Sequence, residues 1–312
     1  MPVDKVTAPG GKSRDSLRVH FPERTIIATE RAYPARMRLE IEVLKRLSAV
    51  GAPVPKYLGG TERVFFQEDV GSRRLSGVLA KDVRLRRTAT IESAVDSLME
   101  LRRAGEEANL ADVVPALGAH PDWVGGLINS ASVLSSRLGI ASPRIDIAAT
   151  VSRLSVPATR FVKWDARPGN ASVDELGRVW WFDWEHCGKR QGMEDFAWLA
   201  GDEFCPFGPD VVVPVLERAP EPGVARQEID YLGHFVTFHI VQRLAIIHNR
   251  FAKSGWIDPA RAIRYDRIGA DPELVGRLCG HGAGWANRAS LTRPMVRWFN
   301  DCAAAMKGLT TA

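Results

Sequence analysis

The sequence predicts an α+β fold in two lobes, a small β-rich one at the N-terminus and a larger, mainly helical one after it. Three observations carry that expectation. About the first 70 residues alternate β-branched runs and Pro/Gly turns around a single amphipathic helix. Two short strands then bracket a turn at Asp174-Glu175-Leu176-Gly177. Beyond Gly188, helical segments dominate. The boundary falls near residue 70, dividing the chain into 1–70 and 71–312.

In order, residues 17–21 and 24–31 read as strands joined at Pro22-Glu23, the second marked by Thr25-Ile26-Ile27-Ala28-Thr29. Pro34 pre-sets a helix start. Residues 35–50 are helical because Met37, Ile41, Leu44 and Leu47 fall on one face, and Gly51 supplies a C-cap. Pro53 and Pro55 enforce extended chain. Residues 64–67 form another strand, which breaks at Glu68-Asp69-Val70-Gly71. Residues 88–103 are helical, with Ile91, Val95, Leu98 and Leu101 on one side, and 146–154 make a shorter helix. Further helices are expected over 194–199, 227–253, 272–278 and 293–306.

With 45% hydrophobic and 25% charged residues, the composition is that of a globular protein, which excludes disordered and fibrous classes. The net charge of +5 comes from Lys and Arg spread along the chain. Nucleic-acid binding would gather them on one stripe, so no nucleic-acid partner is expected. Cys187, Cys205, Cys279 and Cys302 form no CxxC pair and are too sparse for a disulfide framework. The N-terminus lacks the apolar core of a secretory signal, and no apolar run reaches membrane-spanning length. A cytoplasmic protein with no membrane association is therefore expected. His186-Cys187 and Cys279-Gly280-His281 lack the matched ligand pair that zinc requires. His234, His239 and His248 read as structural residues of the long helix.

The chemistry is concentrated in Lys163-Trp164-Asp165-Ala166-Arg167-Pro168-Gly169-Asn170, where an acid precedes an amide by five residues across a Pro-Gly turn. The run Trp180-Trp181-Phe182-Asp183-Trp184-Glu185 adds a second acid thirteen residues after Asn170. Phosphoryl transfer explains such a set. Mg²⁺ neutralises ATP through carboxylate, amide and phosphate oxygens, and a separate carboxylate orients the attacking hydroxyl and accepts its proton. Asp165 is the candidate for that carboxylate; Asn170 and Asp183 are the candidates for the metal. In the first helix, Glu40 shares the apolar face with Leu44 and Leu47, whereas Glu42 lies toward Lys45 and Arg46. An inward carboxylate requires a cation, and Arg31, Arg24 and Lys12 are the local candidates. The loop 9–16 offers backbone N–H groups, at Gly11 and Ser13 among others, to cover phosphates.

The central segment resembles the HGDxxxxN catalytic loop of the aminoglycoside phosphotransferase family and, more distantly, the HRDxxxxN loop of protein kinases. Asp183-Trp184-Glu185 is similar to that family's IDWE metal motif. Gly192-Met193-Glu194-Asp195-Phe196-Ala197-Trp198-Leu199 is similar to its following Asp-Leu-Ala stretch, in which the Asp braces the catalytic loop. Gly51-Ala52-Pro53-Val54-Pro55 resembles its GxPVP turn, and Phe66-Gln67-Glu68-Asp69-Val70-Gly71 falls at its hinge to the adenine. The resemblance covers about residues 8–200. It implies a protein-kinase-like two-lobed fold, with 1–70 as nucleotide-binding lobe and 71–312 as catalytic and acceptor-binding lobe. It implies an ATP-dependent O-phosphotransferase acting on a small-molecule hydroxyl, with ATP and Mg²⁺ as cofactors. In that scheme Asp165 is the base, Asn170 and Asp183 hold Mg²⁺, and Asp195 is the brace. Gln67, Glu68 and Val70 hold adenine by backbone bonds, and Glu40 with Arg31, Arg24 or Lys12 is the candidate for the kinase lysine–glutamate pair at the phosphates.

There are departures from the family pattern. Lys163 and Trp164 replace its His and Gly, and the strand 24–31 has no lysine. Arg167 stands two residues after the base, where protein kinases place a lysine, and is a candidate contact for the transferred phosphate. These differences motivate an alternative, a kinase-like nucleotide-binding or regulatory protein without turnover. Glu185, Glu194, Asp202 and Glu203 are candidates for the acidic pocket that a polycationic acceptor needs. Lys163, Arg167, Lys189 and Arg190 argue instead for a neutral or weakly charged acceptor. The tryptophans at 164, 180, 181, 184 and 198 are expected to pack beneath the cleft.

Overall fold

The β-branched runs pair as expected. A computed structural model describes residues 2–9, 15–85, 87–219 and 223–309. Its strands Lys5–Thr7 (β1), Ser16–His20 (β2), Thr25–Glu30 (β3), Tyr57–Gly60 (β4) and Val64–Glu68 (β5) form one antiparallel sheet, ordered β1-β2-β3-β5-β4. In the β3–β5 register Ile27 lies opposite Gln67 and Thr29 opposite Phe65. Side chains alternate along a strand, so these four share one face, and Arg31 continues it past the end of β3. Helix Pro34–Ala49 (α1) starts on its proline and buries Met37, Glu40, Val43, Leu44 and Leu47. Gly51, at φ +76°, ends it.

The rest is mainly helical: Leu75–Arg84 (α2), Ala89–Glu107 (α3), Trp123–Leu138 (α4) and Ile147–Leu154 (α5) come first. Two small ribbons follow. Arg160–Val162 (β6) pairs with Gly188–Arg190 (β9), and Ala171–Val173 (β7) with Val179–Trp181 (β8). The β7–β8 turn is closed by Asp174, whose Oδ1 accepts from the N–H groups of Leu176 and Arg178, both at 2.9 Å. Glu194–Ala200 (α6), Pro209–Glu217 (α7), Arg226–Ser254 (α8), Pro259–Arg264 (α9), Pro272–Asn287 (α10) and Met295–Lys307 (α11) complete the chain. The 29-residue α8 is buried through its middle, from Tyr231 to Leu244 and beyond, and is the axis of this part.

Eight of these strands and helices lie outside the sequence expectation: β1, β4, β6, β9, α2, α4, α7 and α9. Helix α10 also runs to Asn287, well past the expected residue 278. No helix among the described residues is long and apolar enough to cross a membrane. All four cysteines are free and buried.

Candidate active site

The loop 163–170 follows β6 and is clamped at its entrance. Asp195, in the first turn of α6, accepts from the backbone N–H groups of Lys163 (2.7 Å) and Trp164 (2.8 Å). This is the bracing contact expected of Asp195. It holds Trp164 (φ +52°) and Asp165 (φ +55°) in the left-handed region, which costs an L-residue about 1–2 kcal/mol. Burial pushes the Asp195 carboxyl up to about 7, against the two N–H donors that favour its charged form.

The spacing of five between Asp165 and Asn170 closes the loop. A single 3₁₀ turn, Pro168–Asn170, swings the amide back, and Asn170 Nδ2 donates to Asp165 Oδ2 (2.7 Å) and to the Asp165 carbonyl (3.0 Å). With Nδ2 committed twice, Oδ1 is the Asn170 atom suited to a cation. Asp165 Oδ1 accepts from Arg167 Nε at 3.0 Å.

Asp183 follows β8 at φ +65°, with its side chain 33% exposed at the cleft wall. The cation that Glu40 requires is Arg31. Its guanidinium bonds Glu40 in bidentate fashion, Nε to Oε2 at 2.7 Å and Nη2 to Oε1 at 2.9 Å, and Nη2 also reaches Asp183 Oδ1 at 2.8 Å. Glu185 lies 3.6 Å from Nη1. Glu40 is fully buried and takes a further bond from the Trp184 N–H at 3.0 Å. The N-terminal sheet, α1 and the second acidic motif thus meet on one arginine. Partial burial pushes Asp183 up, but Arg31 and Lys163 outweigh it and hold the carboxyl below its ordinary range. Lys163, at the position of the family's histidine, is wholly buried. Its Nζ donates to the Asp183 carbonyl at 2.8 Å and sits 5.1 Å over the Trp184 ring. It ties the two acidic loops together through backbone. Burial lowers its pKa, opposed by Asp165 and Asp183.

A second chain of charges supports the loop from behind. Arg167 Nη2 lies 3.4 Å from Asp266 Oδ2, and Arg74 is 3.6 Å from the same oxygen and also bonds the Gly169 carbonyl. A Cβ on Gly169 would collide with the Asp266 carboxylate, so this loop glycine is required by close approach rather than by φ. Three of the four acids expected to line an acceptor pocket are engaged elsewhere. Glu203 is paired in bidentate fashion with Arg243 (2.6–3.0 Å), and Asp202 lies 3.6 Å from the same guanidinium. Glu194 is bound by Arg190 (3.0 Å) and the Tyr231 hydroxyl (2.6 Å). All three are buried, because an internal arginine demands a carboxylate. Only Glu185 reaches the cleft.

The cleft itself encloses about 660 Å³. It is lined by Ile27, Gln67 and the segment Glu68–Gly71 from the sheet and its exit, and by Arg31, Asn170, Phe182, Asp183 and Glu185. Of the residues expected from sequence, Arg31, Gln67, Glu68, Val70, Asn170 and Asp183 therefore share one cavity. Asp165 and Arg167 stand behind Asn170, and Glu40 behind Arg31. Some backbone groups of the segment are used internally: the Val70 carbonyl accepts from Ser172 Oγ (2.7 Å) and the Glu68 N–H donates to Lys56 (2.9 Å). Gly11 and Ser13 lie outside the described residues. The sequence reading missed Arg18, Arg73, Arg74 and Asp266. Only their spatial neighbours, Asp69 for Arg18, Asp174 for Arg73 and Asp266 for Arg74, all far away in sequence, reveal them.

The tryptophans divide. Trp181 and Trp184 are buried core, and Trp164 packs edge-on to Trp198 (5.7 Å) and Phe235 (6.2 Å). Trp180 departs from the expectation: it lies on the β7–β8 ribbon, bonded to Asp174 (2.9 Å) and covered by Arg178 (5.0 Å). Burial holds the His239 pKa down near about 3 and that of His234 near about 4, consistent with neutral structural imidazoles. No group of three or more His, Cys, Asp or Glu side chains among the described residues is placed to hold a metal alone.

No protein-family model and no curated protein sequence matches the chain. Solved structures do. A choline/ethanolamine kinase family protein from Mesorhizobium loti superposes with a TM-score of 0.55 over 98% of this chain and 92% of its own, at 13% identity. Spectinomycin phosphotransferase APH(9)-Ia, solved with ADP and spectinomycin, gives 0.53 over 85% of this chain and 88% of its own, at 10% identity. The chain therefore has the protein-kinase-like fold of these small-molecule kinases, an N-terminal antiparallel sheet followed by a mainly helical part.

Proposed function

We propose that the chain is an ATP-dependent O-phosphotransferase that phosphorylates a hydroxyl of a small molecule. The observation that carries this reading is that two bonded sets, Asp165 with Asn170 and Arg31 with Glu40 and Asp183, each held at 2.7–2.9 Å, meet at one cleft lined by Arg31, Asn170 and Asp183. Residues 1–70 form the nucleotide-binding lobe and 71–312 the catalytic and acceptor-binding lobe. Asn170 Oδ1 and the Asp183 carboxylate are hard oxygen donors of the kind Mg²⁺ takes. When bound there, Mg²⁺ with ATP supplies charge neutralisation at the transferring phosphoryl group.

The protein's own groups do the rest. Asp165 orients the acceptor hydroxyl and accepts its proton, and Asn170 fixes that carboxylate. Arg31, held by Glu40, offers a guanidinium to the phosphates. Arg167, which bonds the Asp165 carboxylate, is the candidate to stabilise the negative charge that develops on transfer. Gln67, Glu68 and Val70 hold the base. The acceptor is neutral or weakly charged, because Glu194, Asp202 and Glu203 are committed to internal arginines and supply no acidic pocket.

The pairing of Asp183 with Arg31 and of Asp165 with Arg167 also suits a second reading, a nucleotide-binding protein without turnover. Mg²⁺-dependent ATP consumption across a panel of hydroxylated small molecules, wild type against Asp165→Asn, separates the two. Acceptor-dependent turnover lost in the variant is expected, with neutral polyols preferred to polyamines. Nucleotide binding with no turnover on any acceptor would favour the second reading.

A further inference from the structure

The N-terminal sheet turns polar side chains inward and apolar ones to solvent. Its register places Val6, Val19 and Ile26 in one row and Leu17, Ala28 and Phe66 in the next, all on the side away from Ile27, Gln67 and the cleft. Each is at least partly exposed, Val6 by 52% and Leu17 by 43%, and none joins the hydrophobic core. Arg18, Thr29 and Gln67 stand on the opposite side. An antiparallel sheet with one solvated face ordinarily turns its polar residues outward; here the cleft side holds them. A contiguous apolar face of this kind marks an interaction surface. Five strands about 4.8 Å apart and about five residues long give it roughly 400 Å² in projection. Two such faces together bury on the order of 1,000 Å², where specific interfaces begin.

The charges at the rim of this face identify its partner. Strand β3 runs through the middle of the sheet, with Arg24 just before it and Glu30 at its end. Both have the parity of Ile26 and Ala28, so both project on the apolar side. Both are exposed, and neither side chain has an ion-pair or hydrogen-bond partner among the described residues. We propose that the face binds a second copy of this chain, about a two-fold axis that crosses β3 at Ile27. Such an axis lays one apolar face on the other and sets Arg24 of each copy against Glu30 of the partner subunit. Residues 24 and 30 are equally far along the strand from 27, so both pairs form at once and close an isologous dimer. Two sheets packed in this way lie about 10 Å apart, with their apolar side chains interdigitated between them.

An interface of this size is expected to dissociate at about 10–100 µM, so sedimentation velocity of the full chain is run from about 1 to 500 µM. Wild type is expected to pass from monomer to dimer over that range. Leu17→Lys sets two ammonium groups inside the apolar contact and is expected to leave a monomer throughout, with an unchanged melting temperature because Leu17 is not part of the core. Arg24→Glu and Glu30→Arg each set like charges opposite one another, and either alone is expected to weaken the dimer about tenfold or more. An equimolar mixture of these two variants is expected to associate again, since every contact then pairs opposite charges. A wild type that stays monomeric overturns the proposal and leaves the face to a partner of another kind. A dimer undisturbed by Leu17→Lys places the contact elsewhere and overturns it too. Failure of the mixture to recover association overturns the two-fold arrangement.

Discussion

Replacing Arg31 by methionine tests the junction of the site most severely. The guanidinium makes two bonds to Glu40 and one to Asp183, at 2.7, 2.9 and 2.8 Å. Glu40 is fully buried, whereas the Asp183 side chain is one-third exposed and can recover water. The cost therefore falls on Glu40, where burial already pushes the carboxyl up and Arg31 opposes it. Removing one partner of such a buried pair costs about 3–5 kcal/mol, most of it the stranded charge. Glu40→Gln alone leaves Arg31 still bonded to Asp183 and near Glu185, and should cost about 1–2 kcal/mol. The double variant Arg31→Met/Glu40→Gln strands no charge, so it should be about 2 kcal/mol more stable than Arg31→Met. Urea unfolding followed by tryptophan fluorescence measures all four proteins. An Arg31→Met variant within about 1 kcal/mol of wild type, or a double variant no better than that single one, would refute the reasoning.

Other outcomes follow from the same geometry. Burial raises Asp195 from its ordinary 3.8 to about 7, so the folded state holds that proton more tightly than the unfolded chain. Its stabilising share is complete below about pH 4 and is lost as pH rises through 7, up to the order of 4 kcal/mol. Unfolding across pH 4–8 should therefore show wild type losing ground to Asp195→Asn as pH rises; a constant difference would contradict this. Gly169→Ala forces a methyl against Asp266 and should cost about 1–3 kcal/mol, with Gly169→Ala/Asp266→Ala recovering much of it in thermal unfolding. Asp165→Asn should lower kcat about 10²- to 10⁴-fold, while calorimetric Mg·ADP affinity stays within about threefold.

Much of the site was legible because it is local. Asp165, Asn170 and Asp183 lie within one short stretch, where loop chemistry fixes their spacing. Glu40 declared itself by sitting on the apolar face of α1, which made a nearby cation necessary. Which cation was not decided by sequence alone: Arg31 wins over Arg24 because it extends the inward face of β3 with Ile27 and Thr29. Asp266 stayed hidden because its partners, Arg167 and Arg74, are joined to it only by tertiary packing. The acids at 194, 202 and 203 were misplaced for the same reason, since Arg190 and Arg243 claim them internally.

Among the elements, α1, α3 and α8 carry strong periodicity or length. The missed ones have local signals that argue against them. Helix α4 contains Gly125-Gly126 and four serines, α7 carries Pro214 in its interior, and β1 has only three residues. Packing against neighbours overrides those weak propensities.

The central claim is transfer of a phosphoryl group from ATP to a small-molecule hydroxyl with Asp165 as the base. Phosphorus NMR of wild type and Asp165→Asn, each with Mg·ATP and a panel of neutral polyols and amino alcohols, tests it directly. The account predicts a new phosphomonoester resonance in wild type, matched by ADP formation and missing in the variant. An equal ester yield from Asp165→Asn, or bound ATP with no ester from any acceptor, would contradict it.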